Sequence, residues 1–91
     1  MDPWTPRTTE AACGVNTGAA SNFGSSRYVR LFNTAAVGTE HLITLEESGG
    51  TDIGTFTLDG QKEAIIKKNP SDQIFAANAA VMGVGVTINS N

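Results

Sequence analysis

The chain is short of the side chains that carry chemistry. It has one cysteine, Cys13, and one histidine, His41, in 91 residues. A lone cysteine excludes an intrachain disulfide framework and any multi-cysteine zinc site. One imidazole falls short of the usual ligand set of a metal enzyme. Lys and Arg number six against nine Asp and Glu, a net charge of −3, which argues against the basic face of a nucleic-acid-binding module. No apolar run approaches the roughly 18 residues of a membrane-spanning helix. The start of the chain has neither the basic nor the apolar region of a signal peptide. Charged residues as a whole are 16%, below the roughly 25% usual in soluble domains. These shortages predict a non-enzymatic protein made in a cytoplasm, with no cofactor, metal, nucleic acid or membrane partner.

Gly, Ser, Thr and Asn supply 34 of the residues, and 40% of the chain is hydrophobic. The apolar share is too high for disorder, and the length suits one small domain. A surface so rich in neutral polar groups fits either an ordinary all-β domain or one that works against a partner.

The chain divides near Ser26. Residues 1–26 hold only Met1, Trp4, Val15 and Phe23 as large apolar side chains and keep no sustained period. Such a stretch buries too little to offset the entropy of ordering it, so the expectation is an extended N-terminal arm at 1–26. Pro3 and Pro6 bracket Trp4, hold the chain extended and keep it out of a helix. An isolated Trp beside prolines is an anchor, for its own domain or for another protein. Trp4, Pro3, Pro6, Val15 and Phe23 are therefore the candidate partner-binding residues.

Residues 27–91 hold nineteen Leu, Ile, Val, Phe and Met residues, enough for one core. Tyr28 to Phe32 reads as a strand, with Val29 and Leu31 on one face and Tyr28, Arg30 and Phe32 on the other. Further strands are expected at 40–46, 52–58, 61–68, 73–76 and 81–88, separated by Gly, Pro, Asn and Ser. Asp59-Gly60 suits a type I′ hairpin joining the strands at 52–58 and 61–68, with Ile65 at the core. Ala77 to Ala80 suits one helical turn. Gly83 and Gly85 leave room for a partner backbone to approach closely. Five or six short strands with turns every eight to twelve residues predict an all-β fold, a small antiparallel sandwich or barrel over residues 27–91.

No catalytic constellation emerges. Glu40 and His41 are neighbours on a strand and point to opposite faces, so His41 reads as a surface or edge-strand residue. Glu46, Glu47, Asp52 and Asp59 lack the spacing of a calcium loop and read as a solvated acidic edge. Lys62, Lys67 and Lys68 read as charges that keep an exposed strand from self-pairing. Gly83-Val84-Gly85 lacks the third glycine and the helix of a phosphate loop.

Residues 28–88 resemble small virion structural proteins of tailed phages that infect marine bacteria, including cyanobacteria. The resemblance rests on Val29-Arg30-Leu31-Phe32-Asn33, the His41-Leu42-Ile43-Thr44-Leu45 strand, the stretch from Ser48-Gly49-Gly50 to Leu58, and Lys67-Lys68-Asn69-Pro70-Ser71-Asp72-Gln73-Ile74-Phe75-Ala76. It implies a head protein on the capsid exterior of a virion, a decoration or cement protein. The implied partner is the major capsid protein lattice, with self-association into a homo-oligomer as a second expectation. Many weak contacts repeated over a lattice give avidity without one large interface. Two alternatives stand beside it: a tail- or connector-attached virion protein, and a small carbohydrate-binding β-sandwich module.

Overall fold

Short runs of apolar and β-branched residues, bounded by Gly, Pro, Asn and Ser turns, lay down six of the eight strands in this protein. The computed structural model describes residues 3–89. Its strands are β1 (Trp4–Pro6), β2 (Ala11–Ala12), β3 (Tyr28–Asn33), β4 (His41–Glu46), β5 (Asp52–Leu58), β6 (Glu63–Lys67), β7 (Gln73–Ala76) and β8 (Val81–Ile88). They form two antiparallel sheets of five and three strands, a small all-β sandwich. In the larger sheet the order is β1-β8-β3-β6, with β2 also on β8; in the smaller it is β5-β4-β7. Among the described residues, no helix is long and apolar enough to cross a membrane.

β3 shows how the pattern places the core. Val29, Leu31 and Asn33 alternate with half-buried Tyr28, Arg30 and Phe32, and all three are fully buried. Successive strand residues point to opposite faces, so the first set faces the smaller sheet and the second faces outward. Ile43, Leu58, Ile74, Ala76 and Val81 complete the core with Val29 and Leu31, and Phe56 and Ile66 pack against it. Asn33 ties the sheets together at one end: its Nδ2 donates to the carbonyls of Thr39 at 3.0 Å and Leu58 at 2.9 Å.

The segment expected as an arm is part of this packing. Cys13 and Phe23 belong to the core, at 3% and 7% exposure. β1 and β2 lie end to end along one edge of β8, with Trp4 opposite Ile88, Pro6 opposite Val86 and Ala12 opposite Met82. Beyond β2 the chain crosses to the other sheet. Cys13 N donates to Val81 O at 2.8 Å, while Ala76 N donates to Gly14 O at 2.9 Å. Ser21 and Ile74 exchange both backbone hydrogen bonds, at 3.0 and 2.8 Å. Residues 11–23 thus strap β8 to β7 and close one side of the sandwich. Residue 26 marks a change in composition but not a boundary in packing; Met1 and Asp2 lie outside the described residues. Low apolar content misled because the strap is held mainly by backbone hydrogen bonds, and only two side chains need be large or buried.

Under the strap lies a carboxylate. Glu46 is fully buried, and its oxygens accept from Gln73 Nε2 at 2.7 Å and Thr17 Oγ1 at 3.2 Å. Thr17 opens a short 3-10 turn, Thr17–Ala19, capped by the Asn16 side chain, which accepts from Ala19 N at 3.0 Å. Glu46 is therefore no part of a solvated acidic edge.

Three local expectations meet a different arrangement. β5 and β6 do not form a hairpin: β5 pairs with β4 and β6 with β3. Asp59-Gly60 instead carries the chain between sheets, and the left-handed residue there is Gln61, at φ 60°. Asp59 Oδ1 accepts from Gly60 N and Gly38 N, which anchors the crossing. Ile65 stands opposite Arg30 on the outer face, so Ile66, opposite Val29, is the residue turned to the core. Residues 77–80 form a bend and turn, with Asn78 Oδ1 accepting from Ala80 N at 2.8 Å.

Gly83 and Gly85 give the close approach that their spacing suggests, and the approaching group is the chain's own. A Cβ at Gly83 would stand 2.6 Å from the Phe23 ring, and one at Gly85 would overlap Ser26 Oγ. Residues 23–25 all adopt positive φ, at 53°, 68° and 58°. That turn drives Phe23 inward, and Ser26 fixes it by donating to Phe23 O at 2.6 Å.

Candidate functional site

The outward face of the larger sheet gathers the aromatic residues Trp4, Tyr28 and Phe32. Pairing register places Tyr28, Arg30 and Phe32 of β3 beside Val86, Val84 and Met82 of β8, with Lys67, Ile65 and Glu63 of β6 on their other side. β1 adds Trp4 and Pro6 at the far edge. Val84 and Val86 are nearly inaccessible, at 4% and 1%, although they belong to this face and not to the inner core. They are small side chains set among larger neighbours in register.

Arg30 is the hub of the face. Its guanidinium carbon lies 5.6 Å from the centre of the Trp4 ring and 5.3 Å from that of Phe32. Its Nε donates to Glu63 Oε2 at 2.6 Å and its Nη1 to Glu10 Oε2 at 3.4 Å. Each cation–π contact is worth about 0.5–1 kcal/mol at an exposed site, and exposed ion pairs add little. Their combined effect is positional: two carboxylates fix the guanidinium, and the guanidinium holds two aromatic rings in one surface. The charge of Arg30 is compensated locally, so the face is aromatic and nearly neutral.

Of the sequence candidates, Trp4, Pro3 and Pro6 come together on or beside β1. Trp4 is half-buried against its own sheet, Pro6 is exposed, and Pro3 O accepts from Asn89 N at 2.7 Å. Val15 is 49% exposed on the strap, away from β1. Phe23 is a core residue, and its burial overturns its assignment to partner binding. Tyr28, Arg30 and Phe32 were legible as one strand face, but nothing local in the sequence signals that Trp4 joins them. That junction depends on a three-residue strand pairing with residues 86–88 of β8.

His41, Lys68 and Cys13, also singled out in the sequence, lie away from this face. His41 opens β4, the central strand of the smaller sheet, and is half-buried rather than on an edge strand. Lys68 is buried, and its ammonium donates to the carbonyls of Asn69 and Pro70, both at 3.2 Å, so it guards no strand edge. Burial pushes Lys68 below the usual lysine range, and the carboxylate of Asp72 opposes that shift. Burial pushes the Cys13 thiol up to about 11, which leaves it protonated and unreactive at neutral pH. Among the described residues, no three His, Cys, Asp or Glu side chains converge as a metal site. No protein-family model matches the chain, and neither a curated protein nor a solved structure does so.

Proposed function

We propose that this protein is a non-enzymatic virion component that binds an assembled capsid lattice from outside, as a decoration or cement protein. The observation that carries this reading is the outer face of the larger sheet. Trp4, Arg30 and Phe32 form a fixed, neutral, aromatic surface there, and the described chain places no further strand over it. Aromatic residues and Arg are the side chains enriched in the energetic centres of protein interfaces. The resemblance of residues 28–88 to phage virion proteins gives the partner class. In this reading Trp4 acts from its place on the sheet, as part of a preformed surface, and not at the tip of a free clamp. A preformed surface loses little conformational entropy on docking.

Co-sedimentation with capsids of the phage that encodes the chain tests the proposal. Wild-type protein should pellet with capsids in amounts commensurate with capsid subunits. Phe32→Ala should weaken that binding by about 2 kcal/mol. Failure of the wild-type protein to pellet, or full binding by the Phe32→Ala variant, would refute the reading.

A further inference from the structure

At one end of the same sheet is an open groove of about 430 Å³, lined by Arg7, Ser25, Arg27, Tyr28, Pro70, Val86, Thr87 and Ile88. That volume falls in the range of small-ligand sites, roughly 300–1,000 Å³. Its chemistry is one-sided. The chain is acidic overall, yet among the described residues no Asp or Glu lines the groove, and two of the six basic residues do. Both ion pairs among the described residues belong to Arg30, so neither Arg7 nor Arg27 has a carboxylate partner there.

Arg7 is held in position. Its backbone N donates to Gly85 O at 2.7 Å, and its Nη1 donates to Ser26 Oγ at 3.0 Å. Ser26 is fully buried and itself bonded to Phe23 O, so a single rigid contact orients the guanidinium, and its other donors have no partner among the described residues. Arg27 sits on backbone fixed by Lys68, whose N donates to Arg27 O at 2.8 Å. Hydroxyls of Ser25, Tyr28 and Thr87 add neutral donors, while Pro70, Val86 and Ile88 give the groove an apolar part.

We propose that this groove captures the carboxylate end of a peptide whose last residue is apolar, with Arg7 and Arg27 holding the anion. Guanidinium forks match a carboxylate in two-point hydrogen bonding. Ile88 and Pro70, both half-buried, receive the adjoining side chain, a role that a bare oxyanion would leave unused. Capture of a chain end by charge and fixed donors is an established mode of peptide recognition. The inference stands independently of capsid binding, because it concerns the isolated protein and a short peptide.

The test is an amide-resolved NMR titration of the full chain with an acetylated tetrapeptide ending in leucine and valine. The same peptide as its C-terminal amide, and inorganic phosphate, serve as comparisons. The free-acid peptide should saturate, with shifts concentrated at residues 7, 25–28 and 86–88, and should bind at least about tenfold more tightly than the amide. Arg27→Gln should weaken it about tenfold or more, and Arg27→Lys should fall between, since lysine keeps the charge and loses the fork. Arg27 is exposed, so both variants should keep the wild-type spectrum elsewhere. A flat titration, equal binding of acid and amide, or undiminished binding by Arg27→Gln would each overturn the proposal. So would phosphate shifting these amides while the acid peptide does not.

Discussion

Phe23 occupies the space that a side chain on Gly83 would need, with a Cβ there falling 2.6 Å from its ring. The two residues are sixty positions apart in sequence, and their contact joins the N-terminal segment to the last strand. Gly83→Ala must displace a core aromatic ring and should cost about 2–4 kcal/mol. Gly54 is the control: it lies on β5, has ordinary backbone φ, and leaves open space for 4 Å around the position a Cβ would take. Gly54→Ala should be neutral or stabilise by about 0.5–1 kcal/mol. Urea denaturation of the two variants ranks them, and similar midpoints would show that residue 23 is not seated on β8.

Truncation distinguishes a strap from a free arm. Removal of residues 1–26 deletes Cys13 and Phe23 from the core and bares the edges of β7 and β8. That loss exceeds the whole stability of many small domains, and the 27–91 fragment should be unfolded or aggregated. In the full chain, backbone order parameters across residues 13–23 should sit near the rigid value of about 0.85. A truncated protein that melts like wild type would return the segment to the status of an arm.

β6 gives a test of strand facing. Ile66 packs against the core, while Ile65 lies on the outer face opposite Arg30. Ile66→Ala should therefore cost about 2–4 kcal/mol and Ile65→Ala distinctly less. Equilibrium unfolding of both variants decides the register, because a slip of one residue exchanges the faces.

Six strands were legible because short apolar runs and the turn residues that bound them are local signals. The faces of β3 could be read directly, and Gly83 and Gly85 announced a close approach. What could not be read was which surface approaches. β1 and β2 span three and two residues, too short to show a period, and they exist because β8 offers them an edge. The Asp59-Gly60 pair has the same local chemistry whether it closes a hairpin or crosses between sheets; only the partners of β5 and β6 decide that. The outer aromatic face was half legible for the same reason, since Trp4 reaches Arg30 through long-range pairing.

Cys13 links stability to alkaline pH. Burial raises its thiol from the ordinary 9.0 to about 11, so the folded state favours the protonated form. Its contribution is complete below about pH 9 and is lost as pH rises towards about 11, on the order of 3 kcal/mol in all. Between pH 8 and pH 10.5 the wild-type protein should lose about 2 kcal/mol more stability than Cys13→Ala. Iodoacetamide at pH 8 should label the thiol only after denaturant is added, and rapid labelling of native protein would contradict its burial.

If the proposed function holds, the outer face of the five-stranded sheet is the surface this protein presents to a capsid. Cryo-EM of capsid particles incubated with the purified protein tests this most directly. Density for the sandwich is expected on the capsid exterior, with Trp4, Arg30 and Phe32 turned to the capsid surface. A capsid bearing the chain with that face open to solvent, or a particle without the chain, would contradict it.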